Sequence, residues 1–252
     1  MKTHLVHAFE DNFIFVIEIN GCAMVVDPGE AHGVLQFLAE KKLRLQKILL
    51  THCHHDHIGG VKELLASRGK DKESIQILGP KTLQNFDIHP DVVLNEGVNF
   101  EFQNSNWQTY HLPGHTLDHL VYYNQIESAL FCGDVLFSLG CGRLFEGSFE
   151  QAFNSLKRIK SLPPDTRIFC THEYTLANCQ FHISEDLAPR EEYLRIKESL
   201  VERLAIGQDS IPTRLGFELK YNSLLRTNSL KEFTELRTKR NHFKYVINRE
   251  PI

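Results

Sequence analysis

Ten consecutive residues, Thr51–Gly60, read T-H-C-H-H-D-H-I-G-G, and no other stretch restricts the fold so tightly. Four histidines and one aspartate fall between His52 and His57. Imidazole and carboxylate at this density read as metal ligands rather than as packing residues. The apolar run Ile48-Leu49-Leu50 precedes them and predicts a buried strand that carries the cluster to a sheet edge. Gly59-Gly60 is expected to let the backbone turn tightly into the next segment.

With 252 residues, 42% apolar and 24% charged, the chain can bury one large core with a small appended domain, and it is no disordered polymer. A net charge of -4 argues against a general nucleic-acid or membrane-surface binder. No apolar stretch is long enough to span a bilayer, and Met1-Lys2-Thr3-His4-Leu5 lacks the apolar core of a secretory signal. The cysteines (Cys22, Cys53, Cys132, Cys141, Cys170 and Cys179) form no C-x-x-C pair and sit mostly in apolar runs. That pattern predicts reduced, packed thiols in a cytoplasmic protein. Cys53 alternates with His52 and His54 and is expected to point away from them.

Strand-like runs at 13–19 and 22–26 flank Asn20-Gly21, a hairpin-turn signal. Helices are predicted over 34–42, 60–67 and 149–159, the last ended by Pro163-Pro164. Further strands are predicted at 47–50, 75–78, 98–102, 108–112, 119–123, 129–132 and 167–170. Beyond this the helical pattern dominates, with Leu194, Leu200, Val201 and Leu204 expected on one face of a long helix. The expectation is a mixed α/β domain over 1–172 and a helical domain over 173–252.

Other strand ends carry single candidates: Pro113-Gly114-His115-Thr116, Gly133-Asp134 and Thr171-His172. A lone strand-end histidine is commonly structural, but these three segments together with Thr51–Gly60 in one chain point to an assembled site. Asp27 and Thr51 can orient ligands or cap a strand-end turn.

Thr51–Gly60 resembles the T-H-x-H-x-D-H-x-G-G signature of the metallo-β-lactamase superfamily, and P-G-H-T, G-D and T-H-E-Y come after it in that superfamily's order. Gly140-Cys141-Gly142-Arg143-Leu144-Phe145-Glu146-Gly147, His172-Glu173-Tyr174-Thr175 and Leu236-Arg237-Thr238-Lys239-Arg240-Asn241-His242-Phe243 resemble its hydroxyacylglutathione hydrolase (glyoxalase II) family. The resemblance covers essentially the whole chain. It implies an α/β fold, a four-layer αβ/βα sandwich with a C-terminal helical domain.

It also implies two divalent metal ions per chain, zinc first, with iron or manganese as alternatives. His52, His54 and His115 would hold one ion, Asp56, His57 and His172 the other, and Asp134 would bridge them. The extra His55 occupies a variable position and is not expected to be a ligand. Two ions roughly 3.5–4 Å apart share a hydroxide that can attack a thioester carbonyl. Asp134 and Asp56 would be catalytic, Asp56 through a secondary part in proton handling. The implied reaction hydrolyses S-D-lactoylglutathione to glutathione and D-lactate, the second step of methylglyoxal detoxification, in a monomer. Arg143, Phe145 (through its backbone), Tyr174, Arg237 and Arg240 would hold glutathione, although a basic run such as Arg237–Arg240 also suits a solvated helix face.

Two departures stand out. Asp118 occupies a position where the family pattern has glycine, and Ser223 one where proline is frequent. The alternatives are another enzyme of the superfamily, such as a persulfide dioxygenase with one iron or a lactonase, and a non-catalytic glutathione-binding protein.

Overall fold

The computed structural model describes residues 1–67, 75–187 and 189–244. The chain opens with β1 (Lys2–Ala8), β2 (Asn12–Ile19) and β3 (Cys22–Val26), then α1 (His32–Lys41) and β4 (Arg44–Leu49). Asn20 and Gly21 adopt φ of 51° and 75° and close the expected β2–β3 hairpin. Next come α2 (His55–Ile58), α3 (Val61–Ala66), β5 (Gln76–Gly79), a 3₁₀ turn over Lys81–Phe86, and β6 (Val92–Val93). These strands form one six-stranded sheet in the order β1-β2-β3-β4-β5-β6.

A second sheet begins with β7 (Phe100–Phe102), β8 (Ser105–His111), β9 (Leu120–Asn124) and β10 (Ala129–Gly133). A small ribbon, β11 (Leu136–Phe137) with β12 (Gly140–Cys141), precedes α4 (Phe149–Lys160) and β13 (Arg167–Cys170). Then come α5 (Thr175–Ser184), α6 (Arg190–Ala205), β14 (Thr213–Arg214), α7 (Leu215–Tyr221), α8 (Ser223–Arg226) and α9 (Leu230–His242). The second sheet runs β14-β13-β10-β9-β8-β7.

Side-chain alternation explains the layering. On β2, Phe13, Phe15 and Ile17 face the core between the sheets, while Ile14 and Val16 face the helical layer of Val34, Leu38, Val61 and Leu64. β3 repeats this with Met24 and Val26 against Ala23 and Val25. A sheet covered on both faces reads as a continuous apolar run, as these strands do. Phe131 and Phe169 stack 4.6 Å apart at the centre, with Phe15 edge-on to both. Leu156 and Ile159 of α4 close the far side. The result is the expected four-layer sandwich.

After residue 172 the described residues form five helices and the short strand β14. Ile211, Leu215, Leu224, Leu225 and Phe233 join the same core as the two sheets. The buried face of α6 differs from the expected one. Tyr193 and Leu200 are buried, Leu194 and Leu204 are only partly covered, and Val201 is 46% exposed. Tyr193 and Leu200 are covered by Leu176 and Cys179 of α5, by Leu139 and by Phe217 and Tyr221 of α7, which leaves the side of α6 that carries Val201 to solvent.

Candidate active site

At one rim of the sandwich the two sheets are bonded to each other, where Leu120 N–H donates to Thr51 O (2.9 Å) and Phe13 N–H to Thr171 O (2.6 Å). These contacts gather the ends of β4, β8, β10 and β13 at one rim. His52 lies just beyond the end of β4. His54 has extended backbone at the N-terminus of α2, whose single turn then presents Asp56 and His57. His115 comes after β8, Asp134 ends β10, and His172 comes after β13. Gly59 and Gly60 are not in positive-φ conformations. Their requirement is close approach instead: a Cβ on Gly59 would lie 2.4 Å from Gly29 O, and one on Gly60 2.4 Å from Glu30 C.

All seven expected ligands converge. His54 Nδ1 lies 3.1 Å from His52 Nε2 and 2.9 Å from His115 Nε2. On the other side, His57 Nε2 and His172 Nε2 lie 3.6 and 3.4 Å from Asp56 Oδ2. Asp134 spans both groups. Its Oδ2 is 3.3 Å from His115 Nε2 and 3.4 Å from His172 Nε2, and its Oδ1 is 3.5 Å from His57 Nε2. His55 is exposed, and Cys53 turns away toward Thr82 and Asp118.

Hydrogen bonds on the outer side fix which nitrogen faces inward. Thr51 Oγ1 donates to Asp27 Oδ2 (2.7 Å) and therefore accepts from His52 Nδ1–H (3.0 Å). His57 Nδ1–H donates to Asp27 Oδ2 (3.0 Å), His172 Nδ1–H to Asp11 Oδ1 (2.8 Å), and His115 Nδ1–H to Arg143 O (2.7 Å). Asn12 Nδ2 steadies Asp56 Oδ2 at 2.9 Å. The four Nε2 atoms are thereby aimed into the pocket, the outer arrangement that tunes histidine ligands.

Charge conforms to this layout. Burial holds His52 and His115 below the ordinary histidine range, so both are neutral near pH 7. Burial also opposes charge on His57 and His172, but the neighbouring carboxylates outweigh it and both pKa values rise. Asp134 and Asp56 move the opposite way. Burial disfavours their carboxylates, yet the surrounding imidazoles hold both below the usual range.

These residues fit a pair of metal ions. His57 Nε2 and Asp134 Oδ1 are buried and have no hydrogen-bond partner. A single proton on His54 Nδ1 can serve His52 or His115, not both. Three sets of donor atoms each lie within 4.8 Å of one another: His52/His54/His115, Asp56/His57/His172 and His52/His57/Asp134. Imidazole and carboxylate donors suit zinc, iron or manganese alike.

A cavity of about 290 Å³ opens from His115 and Asp134 and is lined by Arg143, Phe145, Tyr174, Arg237 and Arg240. Tyr174 stacks on His172, ring centroids 4.7 Å apart and 2° from parallel. Phe145, 61% exposed, sets its ring edge-on to His54 and His115, with the Arg143 guanidinium over it at 5.4 Å. Arg240 donates through Nε and Nη2 to Asn178 Oδ1 and lies against Phe181 and Phe243. Arg237 is only 5% exposed, and its Nη1 donates to Cys141 O at 2.7 Å. It is therefore not on a solvated helix face.

Sequence motifs gave no place in the site to His119, Asp11 or Asn12. His119 is fully buried, stacks on His52 at 4.5 Å, and accepts from the backbone N–H of Asp134 at 3.1 Å. Its fit depends on Gly133, whose φ is +47° and whose Cβ would lie 2.8 Å from the His119 ring. The departure at Asp118 brings no backbone strain, since Asp118 is not a positive-φ residue. Its carboxylate accepts from Thr82 Oγ1 and from Cys53 Sγ.

Residues 9–172 match the family model described as the metallo-beta-lactamase superfamily. A hydroxyacylglutathione hydrolase of Bdellovibrio bacteriovorus is 42% identical over 246 residues, covering 94% of this chain and 96% of that protein. The hydroxyacylglutathione hydrolase of Pelagibacter ubique is 37% identical, covering 96% of this chain and 100% of its own. Among solved structures, TTHA1623 in a di-iron-bound form superposes with a TM-score of 0.58 at 28% identity, over 68% of this chain and 92% of that one. Fold, converging ligands and full-length relatives together place this chain in the metallo-β-lactamase superfamily and, within it, in the hydroxyacylglutathione hydrolase family.

Proposed function

We infer that the chain hydrolyses the thioester of S-(2-hydroxyacyl)glutathione, S-D-lactoylglutathione above all, to glutathione and a 2-hydroxy acid. The observation that carries this reading is a shared wall: His115 and Asp134 of the ligand cluster also line the cavity that holds Arg143, Arg237 and Arg240. A ligand with two carboxylates seated on the guanidiniums places its sulfur end toward the cluster. Arginine forks are suited to carboxylates, and Tyr174 adds a hydroxyl beside them. The segment 173–252 acts here as the glutathione-binding part.

Two divalent ions, when bound, supply a water acidic enough to be a nucleophile near neutral pH and polarise the substrate carbonyl. Zinc is proposed as one physiological metal, with iron or manganese compatible with the same donors. His52, His54, His115, Asp56, His57 and His172 hold the ions, and Asp134 reaches both. Asp56, 38% exposed in its side chain, is the carboxylate placed to pass a proton toward solvent. The leaving thiolate has an ordinary pKa of about 8.5, so no strong general acid is needed. The pocket is built within one chain, consistent with a monomer, and six free cysteines suit a reducing cytoplasm.

The test is loss of the thioester in S-D-lactoylglutathione on adding metal-loaded protein, with a simple lactone and a glutathione persulfide as comparators. Turnover of the thioester well above both is expected. Preference for either comparator would displace this reading.

A further inference from the structure

A second groove, about 390 Å³, lies behind the catalytic pocket and contains none of the metal or glutathione residues named above. The two cavities stand back to back across adjacent residues. Phe137 and Tyr174 line the catalytic pocket, whereas Ser138 and Thr175 line the groove.

One wall is a stripe of α6. Arg195, Ser199 and Arg203 recur every four residues, so their side chains stand one above another about 5–6 Å apart. Arg214, just before α7, also lines the groove. Among the described residues Arg195 has no hydrogen-bond or ion-pair partner. It lies near the charge of Glu192, which is itself held by Tyr221 and Lys220. Arg203 and Arg214 each donate to one backbone carbonyl, that of Asp209 and Asp165 respectively, and keep further N–H groups. Among the described residues no aspartate or glutamate lines the groove. The apolar side chains of Ile196, Leu200 and Phe217 line the same groove.

Three guanidiniums share this lining with apolar side chains and with the hydroxyls of Ser138, Thr175, Ser199, Ser210 and Thr213, while the nearby carboxylates of Glu173 and Glu218 are turned onto Ser210, Ser138 and Thr213 rather than onto the arginines. We propose that this groove binds a small amphipathic organic anion, its head on Arg195, Arg203 and Arg214 and its apolar body on Leu200, Ile196 and Phe217. The head can be a carboxylate, sulfonate or phosphate, since each accepts from the same guanidinium fork.

The experiment titrates the full chain with anilinonaphthalene sulfonate, monitored by its fluorescence. Wild type, the double variants R195E/R203E and R195Q/R203Q, and R240E are compared, with circular dichroism confirming the fold. Saturable binding by wild type is expected, with an equal Kd for R240E and a Kd about tenfold or more weaker for R195E/R203E. R195Q/R203Q should weaken binding in the same direction, which separates loss of charge from misfolding. Decanoate should displace the dye, and inorganic phosphate at the same concentration should not. The inference is overturned by absence of saturable binding, by equal binding in wild type and both double variants, by loss in R240E instead, or by displacement with phosphate alone.

Discussion

The backbone N–H of Asp134 donates to Nε2 of His119 over 3.1 Å, which anchors the main chain that carries the Asp134 carboxylate and fixes the tautomer of His119. The remaining His119 proton, on Nδ1, goes to Leu120 O at 3.0 Å. Replacement by phenylalanine keeps a ring against His52 but leaves the Asp134 N–H buried and unpaired. His119→Phe should lower metal affinity about 10–100-fold, the range for partners that orient metal ligands. Metal content after dialysis against a graded chelator checks this. Unchanged retention would reduce His119 to packing.

The two halves of the ligand cluster should respond differently to pH. His52 and His115 are held low by burial, so near neutrality they have no proton for an ion to displace. His57 and His172 carry raised pKa values, because the carboxylates around them outweigh burial. A cation entering the second half competes with protons on these imidazoles, so its affinity should rise with pH by roughly tenfold per unit for each proton displaced. Titration calorimetry in buffers of different ionisation enthalpy reads the proton count directly. Net release on filling the second half is expected, with a steeper pH slope than the first. Equal slopes would contradict the charge layout.

Ser223 departs from a frequent proline, and its backbone explains why proline is unsuitable here. Its N–H donates to His182 Nε2 at 3.1 Å, while His182 Nδ1 donates to Asn178 O at 2.6 Å. Burial pushes the His182 pKa down to about 4, so the ring is neutral and needs that donor. Proline at the first position of α8 would rigidify the unfolded chain for a gain of about 0.4–1 kcal/mol. Leaving the buried imidazole nitrogen unpaired costs about 1–3 kcal/mol. The cost is larger, so Ser223→Pro should be destabilising by about 1 kcal/mol in denaturant unfolding. Increased stability would show that His182 finds another donor.

What the sequence made legible was local. Thr51–Gly60 announces its ligands within ten residues, and Asn20-Gly21 announces its turn, because each signal depends only on near neighbours. β1 was missed because Lys2, Thr3 and His4 dilute its apolar pattern; it pairs along β2 all the same, from Lys2↔Glu18 to Ala8↔Asn12. His119 has no motif around it, since its role comes from Gly133 and Asp134 on a neighbouring strand. The buried face of α6 was misread because leucine spacing alone cannot say how wide a helix contact is. Close approach at Gly59 and Gly60 is likewise a tertiary fact, set by Gly29 and Glu30.

Arg240 and Arg237 line one cavity but should give different phenotypes. Arg240 reaches Asn178 along the cavity wall, whereas Arg237 is buried and ties α9 to Cys141. Arg240→Glu should raise KM for S-D-lactoylglutathione about tenfold or more while lowering kcat far less, the signature of lost uniform binding. Arg237→Glu buries an unpaired carboxylate and should lower thermal stability as well. Steady-state kinetics with a melting curve for each variant separates the two. An unchanged KM in Arg240→Glu would remove that residue from the substrate site.

Asp134 is the side chain whose loss tests the centre as a whole. Its Oδ2 lies 3.3 Å from His115 Nε2 and 3.4 Å from His172 Nε2, so one carboxylate belongs to both halves. Alanine there removes a negative charge that two raised histidines depend on and opens a gap between the two ligand groups. Asp134→Ala should retain at most one ion per chain by elemental analysis and lose turnover by about 10³-fold, the order expected for a preorganised electrostatic group. His55→Ala, an exposed change one residue from His54, serves as the comparator and should keep both properties. If Asp134→Ala instead held two ions and hydrolysed the thioester near the wild-type rate, the carboxylate would be a bystander, and the two halves would have to function without a shared ligand.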